Sequence, residues 1–274
     1  MAGPSLTQPS ALTTQITERA RQRLEGEPVQ AKLLSTLRLL AKWRVTLLTN
    51  TLLARSGPVV QTGPFKGMAF DLKGAEGGLL TKLIGCYEGE LHGVIETVIA
   101  TAYPQVIDVG SAQGYYAVGL ATRMPDTTVL AFDVDDDARK DCASVAEANG
   151  VADRIALHGL ADHRTFDICA DARTFVLCDI EGGEGALLDP DAAPGLRQAD
   201  ILVECHDTRR NLLSRILQDR FAPTHDIGLI RRDSAPVDLP DWADGLSDLD
   251  WLFLQWEWRT IPTPWLWMKA KARA

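Results

Sequence analysis

The sequence has no surplus of positive charge: 28 Lys and Arg stand against 37 Asp and Glu, for a net charge of −9. Phosphate-covered partners are disfavoured by that balance, so nucleic acid is not expected as a substrate. No apolar run approaches the roughly 18 residues that a membrane span needs, and no integral membrane contact is expected. The opening MAGPSLTQPSALTTQ lacks the basic start and apolar core of a secretory signal. Cysteine is sparse and odd in number. Cys86, Cys142, Cys169, Cys178 and Cys205 are widely spaced, mostly within apolar runs, and form no paired CxxC metal spacing. A reducing cytoplasm fits such cysteines better than an oxidising compartment. There are no internal repeats.

What is present is a globular composition, 46% apolar and 24% charged. A chain of 274 residues can build one large α/β domain or a smaller one with an appendage. The first 57 residues read as a helical extension and residues 58–274 as the main domain. Within the extension, residues 1–12 are rich in Pro, Ser and Thr and are expected to lie loose. Thr14–Leu24 and Ala31–Ala54 read as helices, separated by the breaker Gly26-Glu27-Pro28. The second helix carries Lys32, Arg38, Lys42 and Arg44 with no acid, and leucines at 33, 34, 37, 40, 47 and 48. A face of this kind packs on the core or on a second subunit, which makes a homodimer the expectation; a membrane surface is the competing use.

From Gln105 the pattern changes to apolar runs alternating with longer amphipathic stretches. VIDV (106–109), VLAF (129–132), RIAL (154–157), TFVLC (174–178), ILVEC (201–205) and DIGLI (226–230) are the runs; 115–123, 137–149, 184–198 and 208–220 are the stretches. Near-continuous apolar strands separated by helices predict a doubly wound α/β fold with a mostly parallel sheet covered on both faces. Upstream, Val59–Leu72 reads as a short strand or hairpin, and Leu79–Ile84 and Glu90–Ala102 as helices. DLDWLFLQWEW (248–258) follows the N-cap Ser247 and reads as a helix, with PWLWMKA (264–270) as the last strand.

Ligands of open α/β sheets sit beyond the carboxyl ends of the strands. The first such turn is VIDVGSAQGYY (106–116), in which Gly110, Ser111 and Gly114 permit close approach of a ligand to the backbone. The dinucleotide fingerprint is GxGxxG, whereas this turn reads GxxxG with Asp108 two residues before the first glycine. An acid there repels a pyrophosphate and favours a cationic ligand such as S-adenosylmethionine. Asp133, at the end of VLAF, stands where a ribose-binding carboxylate belongs; Asp135, Asp136 and Asp137 read as caps or solvated charges.

The order of these features resembles class I S-adenosylmethionine-dependent methyltransferases, whose sheet is Rossmann-like. DIEGGE (179–184) at the end of the TFVLC strand sharpens the likeness to the FkbM-type family, which carries D-[IV]-E-G-x-E there. YEGEL (87–91), FDVDDD (132–137), NGVADRI (149–155) and ILVECHD (201–207) follow the family in order over about residues 58–270. Ala112-Gln113 and Asp133-Val134 depart from it. The resemblance implies S-adenosyl-L-methionine as cofactor and O-methylation of a small hydroxylated acceptor, a sugar or natural-product scaffold. It also implies that Tyr87 and Glu88 lie near the methionine end of the cofactor, and that backbone after the third strand, around His158, Asp162 and His163, meets adenine.

Methyl transfer to an alcohol requires removal of its proton, by a general base or by a divalent metal that acidifies the hydroxyl. Asp179 and Glu181 follow the fourth strand, and Glu204, His206 and Asp207 end the fifth, so one rim gathers both options. His206, Asp179 and Glu181 are the expected catalytic groups, with His206 as base. Asp179, which is also expected at the cofactor, joins Glu204 and Asp207 as the expected ligands of a Mg²⁺ or Mn²⁺ ion. Glu184 falls in the first turn of the next helix, where an acid suits the dipole whatever the function. The tryptophans at 242, 251, 256, 258, 265 and 267 suit either a ring substrate or the core. A nucleotide-cofactor oxidoreductase or epimerase, a non-catalytic scaffold of the same fold, and N-methylation are the competing readings.

Overall fold

A computed structural model describes residues 10–72, 78–208, 212–232, 237–259, 261 and 263–271. Seven strands form one sheet in the order β3-β2-β1-β4-β5-β7-β6. β1 (Gln105–Val109), β2 (Thr128–Phe132), β3 (Ile155–His158), β4 (Thr174–Cys178) and β5 (Asp200–Glu204) pair in parallel. β7 (Trp265–Ala270) runs antiparallel between β5 and β6 (His225–Ile230). The central strands are buried at almost every position, as the unbroken apolar runs require of a sheet covered on both faces. This is the doubly wound, Rossmann-like architecture expected, with helices ahead of the first strand.

Two hydrophobic clusters sandwich the sheet. One gathers Val106, Val129, Phe175, Leu177 and Leu202 with the elements before β1 and with α5 (Tyr115–Arg123) and α6 (Asp136–Ala148). The other gathers Ile107, Val109, Val176, Ile201 and Val203 with α8 (Leu213–Phe221). Adjacent residues of β1 thus face opposite layers, the alternation of a pleated strand.

The helical extension begins earlier than composition suggests. α1 (Ala11–Leu24) starts directly after Ser10, whose hydroxyl accepts from the Thr13 amide, so residues 11 and 12 are helical; the expectation for residues 1–9 lies outside the described residues. α2 (Gln30–Ser56) stops at Gly57, which has a positive φ of 69°. Its second half belongs to the main core, where Leu48 and Leu52 pack with Phe65, Met68 and Leu83. The expected hairpin over Val59–Leu72 reduces to a single antiparallel bridge, Val59 to Ala69. α3 (Leu79–Ile84) and α4 (His92–Thr101) follow.

Two expected helices are shorter. The stretch 184–198 holds only α7 (Glu184–Leu187) and a 3-10 turn at Pro194–Gln198, because Pro190 and Pro194 interrupt it. α9 (Asp248–Leu254) is N-capped by Ser247 as expected but ends before Trp256. α8 begins at Leu213; residues 209–211 of the stretch expected there lie outside the described residues.

Candidate active site

The strand order reverses direction between β1 and β4, and the crevice of an open sheet lies beyond the carboxyl ends there. Gly110 follows β1 with φ 87°, and a Cβ on it would lie 1.7 Å from the carbonyl oxygen of Asp179. Only glycine lets the first turn pass this close to the fourth. Gly114 has φ 84° and a Cβ there would meet Cys142 Sγ at 2.5 Å, so it sets the packing of α5 on α6.

A cavity of about 480 Å³ opens at this point. Gly110, Ala112, Asp133, Leu160, Asp179 and Glu181 are among the residues that line it. None of its described lining residues is Lys, Arg or His. Asp133 is fixed on its floor: Oδ2 accepts from the Ala112 amide at 2.8 Å and Oδ1 from the Asp135 amide at 2.8 Å. Ala112 takes the left-handed conformation, φ 45°, that turns its amide toward Asp133. Val134 and Leu160 line the cavity with most of their side chains in solvent, 72% and 80% exposed. Beside them Phe132 stacks on His158 at 4.8 Å.

Asp108 lies beneath the turn, 1% exposed, and neither carboxylate oxygen has a hydrogen-bond partner among the described residues. Burial pushes its pKa up to about 7. The Ser111 hydroxyl is also buried, without a partner among the described residues. Asp135 caps α6, accepting from the Asp137 amide, which matches the reading of that acidic loop as caps and solvated charge.

On the β4–β5 side, His206 is the hub. Its Nδ1 lies 2.8 Å from Glu184 Oε1, while Nε2 faces Glu181 Oε2 at 3.2 Å, Glu204 Oε2 at 3.5 Å and Asp179 Oδ1 at 3.8 Å. Glu184 is not the solvated helix-start acid that its position suggests. It is fully buried, and Oε1 also accepts from the amides of Ile180 and Gly182. The hydrogen bond to Glu184 raises the His206 pKa against burial, which lowers it. Glu181 is held at φ 56° in the left-handed region, which for a non-glycine residue stores strain and here brings its carboxylate to the imidazole.

Asp179 and Glu204 influence each other's ionisation, Asp179 being the one held toward its neutral form. Burial and the charge of Glu204 push Asp179 up to about 9. Burial opposes ionisation of Glu204 too, but hydrogen bonds with Asp179, Thr263 and Arg259 keep it low. Arg259 ties three acids together: Glu204, Glu88, and Glu257 at 2.9 Å. Glu88, buried and raised to about 7 by burial against the pull of Arg259, also accepts from the Tyr116 hydroxyl at 2.5 Å.

One expected metal ligand is elsewhere. Asp207 turns toward α8, where Oδ1 takes the Ser214 amide at 2.8 Å and Oδ2 the Ser214 hydroxyl at 2.6 Å. Its carboxylate is spent as a cap, and the oxygens and nitrogen that converge belong to Asp179, Glu181 and His206, whose ligand atoms lie within 4.8 Å of one another. Glu204 is beside them but bound through Oε1 to Arg259 and Thr263. Tyr87 packs edge-on against Tyr115 at 5.6 Å and under the Lys82 ammonium at 4.9 Å. His163 bonds the Ala186 carbonyl and Asp162 caps the following 3-10 turn, both structural roles. Of the tryptophans, Trp265 is core and Trp267 packs on Phe175, while Trp256 and Trp258 stack on each other at 4.2 Å.

Arg259, Glu257 and the role of Glu184 escape a reading of the sequence. Arg259 meets Glu88 across 171 positions and has no local motif. For Glu184 a signal exists: an acid after Gly182-Gly183, opposite a histidine ending the adjacent strand. No protein-family model matches the chain, and no curated protein matches it. Solved structures align with it. The O-methyltransferase from Bacillus cereus in complex with SAH aligns at 11% identity over 83% of this chain and 90% of its own, with a TM-score of 0.46. The O-methyltransferase TomG from Streptomyces achromogenes, involved in tomaymycin synthesis and in complex with SAM, aligns at 12% identity over 73% of this chain and 82% of its own, with a TM-score of 0.41.

Proposed function

We propose that this chain is an S-adenosylmethionine-dependent methyltransferase of FkbM type that methylates a hydroxyl of a small molecule, a sugar or natural-product scaffold. The observation that carries this reading is the cavity beyond β1, β2 and β4. Its lining is apolar apart from Asp133, Asp179 and Glu181 and, among the described residues, holds no basic side chain; beneath it lies Asp108, whose two oxygens are buried and unpartnered. A pyrophosphate would be repelled by such a lining, which works against a dinucleotide cofactor; a ligand with a cationic amino group and a sulfonium suits it.

The residues fit that ligand in detail. Asp133 keeps lone pairs free on both oxygens for two ribose hydroxyls. The apolar surfaces of Val134 and Leu160 suit a purine ring, and the acids at the β4 end suit the amino group. When bound, S-adenosylmethionine supplies an electrophilic methyl group. The chain must then hold the acceptor and take its proton. His206 is built for this, because Glu184 holds Nδ1 and leaves Nε2 directed at the rim where Glu181 and Asp179 lie. Glu181, the most exposed of these acids, is placed to bind an acceptor hydroxyl.

A second reading of the same rim has Asp179, Glu181 and His206 Nε2 holding Mg²⁺ or Mn²⁺, favoured by their convergence and by the Glu184 bond that fixes the imidazole. Assay of methyl transfer to a panel of sugars, phenols and amines, with and without chelator, separates the two. His206→Ala is expected to lower turnover by about 10²–10⁴-fold with cofactor affinity intact. Loss of turnover on chelation, restored by Mg²⁺, supports the metal; turnover on amines alone would overturn O-methylation.

A further inference from the structure

The first half of α2 and the outer side of α9 both expose leucines. Leu33, Leu37 and Leu40 are spaced by four and three residues and so share one helix face, and they are 60%, 60% and 42% exposed. Arg44 continues that face by one turn, and its guanidinium binds both oxygens of Asp250 in α9 at 2.6 Å. Leu249 and Leu252 flank Asp250 and are 58% and 67% exposed. The Arg44–Asp250 pair therefore joins two sets of exposed leucines.

Charge divides this surface. α2 contains Lys32, Arg38, Lys42, Arg44 and Arg55 with no acid, whereas residues 238–250 contain Asp238, Asp241, Asp244, Asp248 and Asp250 with no base. A surface that is basic on one half and acidic on the other carries its own complement, which is what an isologous two-fold contact requires. An anionic membrane or a nucleic acid would meet the basic half and be repelled by the acidic one.

We propose that this surface is the interface of a homodimer in which α2 of each protomer packs against α9 of the other. The two-fold places the leucines of one half on those of the other and sets the exposed Arg38 toward the aspartates around Asp248. The contact would also bear on the site. Beyond α9 the chain runs through the stacked pair Trp256–Trp258, with Lys42 of α2 over the Trp258 ring, into Glu257 and Arg259.

Light scattering of the full chain at micromolar concentration tests this without reference to any activity. The expected mass is twice that of the chain, falling to one chain in Leu37→Asp and in Leu252→Asp with unchanged circular dichroism. If those variants fail to fold, exposed charges decide: Arg38→Glu and Asp248→Lys each weaken the dimer at least tenfold, and the two together restore it. A monomeric wild type overturns the proposal, and one that binds anionic vesicles assigns the surface to membranes instead. A dimer unaffected by either leucine change, or a charge pair that does not rescue, overturns the α2–α9 contact.

Discussion

Asp108 shows how a site can work against the stability of its own fold. Its carboxyl ionises near pH 7 in the folded chain and near 3.9 when unfolded, so folding is opposed increasingly as pH rises from about 4 to 7. Asp108→Asn removes that opposition, and should stabilise the cofactor-free protein by up to about 4 kcal/mol at pH 8 with little effect at pH 4, read from urea unfolding. The same change should weaken S-adenosylmethionine binding; a variant less stable than wild type at pH 8 would contradict this account of the residue. Glu184 acts in the opposite sense on His206. Because its hydrogen bond raises the imidazole pKa, the base form appears at higher pH than for a free imidazole, and the acid limb of the rate profile should be displaced upward accordingly. Glu184→Gln should move that limb to lower pH and reduce the maximal rate, whereas a purely structural Glu184 would lower the amount of folded enzyme without moving the limb.

Among the elements, the central strands β1, β4 and β5 were legible because each is a short run of mostly apolar residues buried on both faces, bounded by turn residues. Asp133 and Asp179 line the cavity as the residues directly after β2 and β4, places that the strand pattern itself marks, whereas Asp108 lies buried within β1. The 184–198 stretch was misread where amphipathic spacing outweighed Pro190 and Pro194. Asp207 was misread because its place at the strand end does not reveal that Ser214 claims both of its oxygens. Long-range pairs such as Arg259 with Glu88 leave no mark in local pattern. The β1 turn offers a direct test of the geometry: Gly110→Ala puts a methyl group against the Asp179 carbonyl at a left-handed φ, and should lower the melting temperature and abolish cofactor binding together.

For the whole molecule, the extension and the sheet domain share a core. Leu52 is fully buried on α2 among residues of the main cluster, so Leu52→Ala should cost about 2–5 kcal/mol in urea unfolding although it lies outside the sheet domain. Removing residues 1–29 spares that contact and should leave a cooperatively folding protein; removing 1–57 exposes the cluster and should not. The acidic balance of the chain extends to its cavity, and that is what the cofactor assignment rests on. Calorimetric titration with S-adenosylmethionine and S-adenosylhomocysteine, on wild type and Asp133→Ala, tests it most directly. Binding by the wild type that is lost in a folded Asp133→Ala variant is the predicted result. Failure of the wild type to bind either ligand, or undiminished binding by the variant, would contradict it.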